Sequence, residues 1–361
     1  MKKIGIIGGG QLGMMLAMAA KELGAECICL DPNPTCPASF VCKETIVSEY
    51  SNLEGLKKLG DKTDVLTYEF ENVPSEQLKF IRDTYNIPQG ILPLFDSQNR
   101  IREKINAKNL GLKTPKFKPI YSKKDLEDGI KEIGYPCVYK TTTMGYDGHG
   151  QVVLKSDKDI EKVNPYLKGE GILEEFIKYD FETSIILIRS KDKTISFPMG
   201  INKHKNGILD LCIIDEALPV FDWIKQASIR FMERAKYYGI LTIEYFVKGD
   251  EFYFNEMAPR PHNSGHYTIE GCNVSQYSEL AKFLLDLPLE TPKLKSKTIM
   301  KNILGFDYEN MKKLENSDKV HIHDYHKSDV REKRKMAHIT FTDTSIDEYN
   351  LKYKKLFSED E

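Results

Sequence analysis

Two carboxylates set the chemistry open to this chain. Glu244 and Glu256 lie in the runs 240–247 and 251–258, both rich in aromatic and β-branched residues, on either side of Lys248-Gly249-Asp250, which reads as a hairpin turn. With the turn centred near Asp250, the two glutamates face each other on one side of the hairpin, with Asn255 beside them. Like charges held across a hairpin repel. A hard cation is the usual remedy, and carboxylates with an amide oxygen suit magnesium shared with substrate phosphates, manganese being a second fit. The run Arg260-Pro261-His262-Asn263-Ser264-Gly265-His266 follows directly, dense in donors and stiffened by proline, a cup for an oxyanion. The competing reading is a hairpin edge with its charges in water and a polar loop after it.

Other stretches carry groups that bind phosphate. A strand-like run ends at Lys140 and leads into the hydroxyl- and glycine-rich 141–151, which suits an anion with a loop closing over it. The lysine precedes the glycines, so this is not a Walker A loop; a long hairpin between 137–140 and 151–155 is the plainer alternative. Gly8-Gly9-Gly10-Gln11-Leu12-Gly13 fits G-x-G-x-x-G between a strand and a helix, with Asp31 about 20 positions on, the setting of a dinucleotide site. A mononucleotide phosphate would suit the glycines and the helix N-terminus equally. Arg100 and Lys104 are one helical turn apart, on either a phosphate-facing or a solvated basic face. The strand 65–70 ends in Glu69-Phe70-Glu71-Asn72, polar groups at the end of a parallel strand where α/β sheets bind ligands. His204 sits in the polar run 202–207, where a lone histidine is usually solvated, and the basic run from Lys327 to Arg334 and Lys335 reads as a solvated face.

The elements that position these groups follow from periodicity and breakers. Strand, glycine turn, helix 14–23 and strand 26–30 open an α/β unit that continues through a helix at 75–86 and a proline-marked connection at 88–97. Helices at 100–110 and 123–133 are closed by Gly111 and Gly134. A further helical stretch, 157–167, precedes the strand 171–176; strands at 182–189 and 194–199 form an antiparallel sheet, and a helix at 222–238 enters the carboxylate hairpin. After the helix 275–285, a proline-bearing linker to 292 precedes a small strand-rich unit and an acidic tail, 358–361, expected to fray. The expected units are a Rossmann-like 1–97, a central α+β 98–292 and a β-rich 293–361.

With 361 residues the chain exceeds one small core. A net charge of −2 gives no ground for a nucleic-acid or membrane surface. The N-terminus runs straight into a strand with no cleavable signal expected. Seven scattered cysteines without a CxxC pair speak against a disulfide framework or a zinc site and for a reducing cytoplasm.

The order of these motifs, from a glycine-loop α/β unit through a lysine-bearing strand and glycine-rich loop to a Glu-Glu-Phe-Ile strand end and paired carboxylates, resembles the ATP-grasp superfamily. Within it, residues 8–13, 68–74, 145–151 and 255–266 resemble the 5-(carboxyamino)imidazole ribonucleotide synthase family, ATP-dependent carboxylases of purine biosynthesis. The resemblance spans about residues 3–342. It implies a Rossmann-like pre-ATP-grasp domain, an ATP-grasp domain and a small C-terminal domain, and a cytoplasmic homodimeric ligase using ATP, magnesium, bicarbonate and aminoimidazole ribonucleotide. It places Arg100 and Lys140 on ATP phosphates, with Lys104 as the alternative, and makes Gly145, Tyr146, Asp147, Gly148, His149, Gly150 and Gln151 the flap over them. Glu174, Glu175, Phe176 and Ile177 would carry adenine mostly through backbone groups, Glu182 the ribose, and His204 would lie near the nucleotide. Glu244, Asn255 and Glu256 would hold magnesium, and Arg260, His262 and Asn263 bicarbonate. Tyr146, Asp147, Lys327 and Arg334 would meet the imidazole nucleotide, Asp147 taking the amine proton. The 5′-phosphate would dock at Gly10, Gln11 and Leu12, with Glu71 and Asn72 nearby. His149 departs from the family's Arg or Lys at that flap position and carries only a fractional charge at neutral pH. Another ATP-grasp ligase, an NAD-dependent oxidoreductase or a nucleotide-binding sensor are the rival readings.

Overall fold

The computed structural model describes residues 1–143, 150–215 and 217–357. β1 (Lys3–Ile7), β2 (Glu26–Asp31), β3 (Glu44–Val47) and β4 (Val65–Tyr68) pair in parallel in the order β3-β2-β1-β4. Parallel strands covered on both faces read as continuous apolar runs, and in β1 and β2 every residue but the first is buried. The helix Gln11–Glu22 between them packs on the helix Gln276–Leu284. A shared core of Ile4, Leu16, Ile186, Leu280 and Leu284 joins this unit to the rest of the chain.

β5 (Phe117–Ile120), β6 (Cys137–Thr141), β7 (Gln151–Leu154) and β8 (Gly171–Glu175) form an antiparallel sheet ordered β5-β8-β6-β7. Lys140 pairs with Gln151 across a β6–β7 hairpin. The hairpin reading and a loop over a ligand are therefore compatible. The nine strands of the largest sheet are β9 (Phe181–Arg189), β10 (Thr194–Ser196), β11 (Gly200–Lys205), β12 (Ile208–Ile214), β13 (Gly239–Lys248), β14 (Glu251–Ala258), β15 (Thr298–Leu304), β16 (Val320–Asp324) and β17 (Lys335–Thr342). Their order is β14-β13-β9-β11-β12-β15-β17-β16, with β10 beside β9. β15 pairs with β12, so the C-terminal strands extend the same sheet whose far edge is the Glu244/Glu256 hairpin.

Some local expectations are corrected. The connection 88–97 contains the helix Leu92–Ser97, with Pro93 in its first turn, where a missing N–H costs nothing. Asn202, Lys203, His204 and Lys205 are not loop but β11, and Asn206 and Gly207, at φ 54° and 80°, turn the chain into β12, which the polar sequence had concealed. The strand 194–199 shortens to Thr194–Ser196, the helix 222–238 becomes Pro219–Arg234 and the helix 75–86 ends at Ile81. The tail 358–361 lies outside the described residues.

Candidate functional site

The β13–β14 hairpin holds Glu244 directly opposite Glu256. One residue further the register shifts, because Tyr245 pairs with Phe254, and Asn255 is the extra residue of a β-bulge. The bulge, not simple alternation, brings Asn255 beside the two carboxylates. Protein groups answer the repulsion: the Arg100 guanidinium lies 2.8 Å from Glu256, and His262 Nε2 lies 3.0 Å from Glu244. Burial opposes charge on Glu244, but the His262 hydrogen bond and the positive neighbourhood of His204 and Arg260 outweigh it and hold the carboxyl below its ordinary range.

Facing the hairpin, β6 and β8 present Lys140 and Glu174, 2.9 Å apart, and Lys140 Nζ also donates to Asn255 Oδ1 at 3.4 Å. The helix Arg100–Asn109 is started by Asn99, whose side chain accepts from the Ile101 and Arg102 N–H groups. The Arg100 N–H donates to the Thr142 carbonyl beyond β6 at 2.9 Å, tying the helix start to that strand. Its inward face is not solvated: Lys104 is 1% exposed, 3.4 Å from Glu174 and 3.1 Å from the Phe254 carbonyl. Burial works against charge on Glu174, but Lys104, Lys140 and Arg100 outweigh it and hold the carboxyl at about 2. Glu174 therefore spends its side chain on lysines. Glu175 Oε2 accepts from the Lys116 N–H at 3.3 Å, and the Phe176 N–H donates to the Pro136 carbonyl. Phe176 and Ile177 are the first two residues beyond β8. Glu182 accepts from the Tyr179 hydroxyl at 2.5 Å and lies 3.4 Å from His204, which is thus part of the sheet and not a solvated loop residue.

The oxyanion cup closes the cleft on its other side. Arg260 pairs through Nε with Glu71 and donates to the Pro261 carbonyl at 3.0 Å. His262 Nδ1 meets the Ser264 hydroxyl at 2.8 Å, while Gln276 accepts from the His262 N–H at 2.9 Å and donates to its carbonyl at 2.8 Å. The Asn263 amide is buried, and neither its oxygen nor its nitrogen has a hydrogen-bond partner among the described residues. Such a donor–acceptor pair calls for a partner that the protein itself does not supply. Glu71, Asn72, Arg100, Glu244, Glu256, Arg260 and His262 line one cleft.

The glycine loop differs from its fingerprint. Its amide donors are taken by protein carboxylates: Gly9 donates to Asp31 at 2.8 Å, and Gly10 and Gly13 to Glu69 at 2.9 and 3.2 Å. Gly8, at φ +107°, has no room for a Cβ, which would stand 2.7 Å from Glu69. Asp31, the residue expected for a dinucleotide ribose, is engaged by Gly9, Asn33 and Tyr50. With these amides and Asp31 engaged by protein groups, the loop does not present the free donors and free acidic residue of a dinucleotide site, which speaks against the oxidoreductase reading. Burial pushes the Glu69 carboxyl up to about 7, against the Gly10 N–H and Arg260. A raised folded-state value favours folding fully below pH 4.5, and that stabilisation is lost as pH rises through 7. Glu69→Gln should remove a loss on the order of 3 kcal/mol over that window. Denaturant unfolding of both proteins across it checks this, and superimposable profiles would exclude it.

The C-terminal basic run divides. Arg331 and Lys333 are exposed, whereas Lys327, Arg334 and Lys335 are half-buried. Lys327 donates to the Lys335 carbonyl at 2.7 Å, and burial, then Arg334, pushes its ammonium down to about 8. Arg334 donates to the Asp329 carbonyl at 2.9 Å. Gly145, Tyr146, Asp147, Gly148 and His149 lie outside the described residues; Gly150 is the turn residue before β7, which Gln151 opens. Sequence reasoning passed over Glu103 and Gln276, and read Ser264 only as part of the donor-rich run 260–266. Glu103 alone had a signal, its spacing of three from Arg100 on one helix face.

Among the described residues no helix is long and apolar enough to cross a membrane. The Ribonucleotide synthetase preATP-grasp domain matches residues 1–91, the ATP-grasp domain 105–277 and the Phosphoribosylaminoimidazole carboxylase C-terminal domain 298–352. The N5-carboxyaminoimidazole ribonucleotide synthase of Staphylococcus haemolyticus is 39% identical over 360 residues, 98% of this chain and 96% of the relative. The Staphylococcus aureus N5-carboxyaminoimidazole synthetase complexed with ADP superimposes with a TM-score of 0.93 at 33% identity, covering 99% of this chain and 97% of that one. The Aspergillus clavatus enzyme with ADP and 5-aminoimidazole ribonucleotide gives 0.90 at 25% identity, covering 98% and 97%. With three consecutive domains matched in order and the fold shared end to end, the chain belongs to the N5-carboxyaminoimidazole ribonucleotide synthase family of ATP-grasp ligases.

Proposed function

We propose that this protein carboxylates 5-aminoimidazole ribonucleotide with bicarbonate at the expense of ATP, giving 5-(carboxyamino)imidazole ribonucleotide, ADP and phosphate in purine biosynthesis. The observation that carries this is one cleft in which the Glu244/Glu256 pair, with Arg100 against it and Lys140 on its bulge, adjoins the Arg260–His262 cup. A bicarbonate oxygen attacks the γ-phosphorus and the bond to the ADP oxygen breaks, forming carboxyphosphate. The exocyclic amine then takes up its carbon, directly or as carbon dioxide released in the closed site, with loss of phosphate and of one amine proton.

Lys140 and Arg100 neutralise charge on the phosphates. Glu175, Phe176 and Ile177 receive adenine and Glu182 the ribose, with His204 behind it. Arg260, His262 and Asn263 receive bicarbonate; the free Asn263 amide suits an anion that both donates and accepts. Glu244, Glu256 and Asn255 offer the hard oxygen donors magnesium takes when it keeps substrate phosphates as further ligands. When bound there, such an ion shields the transferring phosphoryl charge. Lys327 and Arg334 approach the ribonucleotide with Gln11, Leu12, Glu71 and Asn72; the flap from Gly145 to Gln151 excludes water, which would hydrolyse carboxyphosphate. Asp147 takes the amine proton. A cytoplasmic homodimer completes the reading.

Phosphate release from Mg-ATP in bicarbonate buffer should be strongly stimulated by aminoimidazole ribonucleotide, with ADP formed. Turnover without stimulation would keep the ATP site and reassign the acceptor to that of another ATP-grasp ligase. No turnover with any acceptor would overturn the reading.

A further inference from the structure

β14 ends its sheet, with β13 as its only neighbour among the described strands, so its outer backbone groups have no strand to pair with. An open edge beside a bulge is a weak place to mount a cation site. Here the groups that flank Asn255 and Glu256 are all taken from outside. The Phe254 N–H donates to the Lys113 carbonyl at 2.7 Å, the Phe254 carbonyl accepts from Lys104 Nζ at 3.1 Å, and the Met257 N–H donates to Glu103 Oε1 at 2.6 Å. Glu103 and Lys104 are 2% and 1% exposed, so neither contact competes with water. The same helix sends Arg100 to the Glu256 carboxylate itself.

We propose that Glu103 and Lys104 act as a surrogate strand on the free edge of β14, holding the Asn255 bulge in the one geometry that aims Asn255 and Glu256 at the cation. Both are positioning residues: neither is needed as a ligand, and Lys104 serves the strand and Glu174, not a substrate phosphate. This rests on the cation site proposed above. It accounts for a buried carboxylate that the reaction itself leaves without a task, and for adjacent helix residues of opposite charge turned toward one strand. Glu103 supplies an acceptor for an N–H and Lys104 a donor for a C=O, the two halves of a missing ladder.

The test uses the full chain with ADP present and Mn²⁺ as the probe, read by electron paramagnetic resonance, beside the Mg²⁺ dependence of ATP turnover and the melting temperature. Glu103→Ala should weaken Mn²⁺ binding at least about tenfold, the loss typical of groups that orient metal ligands, and raise the Mg²⁺ needed for half-maximal turnover in parallel. Glu103→Gln keeps an oxygen for the Met257 N–H and should restore both. Wild-type Mn²⁺ binding in Glu103→Ala, even with a lowered melting temperature, would overturn the proposal, as would a Glu103→Gln protein as impaired as Glu103→Ala. Should Glu103→Ala not fold, Lys104→Met carries the test: the same Mn²⁺ loss supports the proposal and wild-type binding overturns it. A wild-type chain that binds no Mn²⁺ would remove the cation site itself, an outcome distinct from a difference between variants.

Discussion

Glu256→Gln should lower ATP turnover about a thousandfold, the scale of losing one preorganised charge aimed at a phosphoryl transfer, while the Michaelis constant for aminoimidazole ribonucleotide stays close to wild type. The substitution is isosteric and sits on a carboxylate 41% exposed, so packing is spared. What changes is charge. Glu256 and Glu244 are register partners, and a single remaining carboxylate binds a divalent cation more weakly. Arg100, 2.8 Å from Glu256, loses the anion that orients it. The groups proposed for the ribonucleotide, Glu71, Asn72, Gln11 and Lys327, stand on other elements and keep their partners. A fall in turnover larger than the change in ribonucleotide Michaelis constant is therefore the signature of a transition-state contact. Near-normal turnover would remove the cation-site reading.

The sequence carried this hairpin because its signals are local. Lys248-Gly249-Asp250 fixes the turn, and the turn fixes which residues oppose. The bulge that adds Asn255 is set by α-helical side chains more than 140 positions away, Glu103 reaching Met257 across 154 residues of chain, and no local pattern predicts that. The same distinction separates other outcomes. Arg100 and Lys104 were legible as one helix face, but whether that face met water depended on Glu174 and β14. The βαβ context of Gly8 and Gly13 was legible; the anion it holds was not, since Asp31 and Glu69 come from two other strand ends. β11 was passed over because Asn202, Lys203 and His204 are polar, although a strand inside an antiparallel sheet can turn such residues toward a site, as the His204–Glu182 contact does.

Glu174→Gln should destabilise the protein by about 3–5 kcal/mol, the cost of leaving a buried charge without its partner. Glu174 is 2% exposed and is the carboxylate nearest both Lys104 and Lys140, at 3.4 and 2.9 Å. An amide oxygen can accept one hydrogen bond but cannot offset two ammonium groups. Acid sensitivity should change with it. A carboxyl held at about 2 against an ordinary 4.5 contributes stability that is complete above pH 4.5 and lost as pH falls toward 2; the variant lacks that contribution, so its deficit shrinks as the pH is lowered through this window. Nucleotide separates a charge role from an adenine-binding one. If Glu174 serves to hold the lysines, ADP supplies negative charge to Lys140, one of the two, and saturating ADP should raise the melting temperature of Glu174→Gln more than that of wild type. If its side chain instead recognised adenine, the variant would keep its stability without ligand and lose the response to ADP. Melting curves of both proteins with and without ADP, at neutral pH and in the acid window, decide between the two, and retained stability with a lost ADP response would sink the lysine-clamp role.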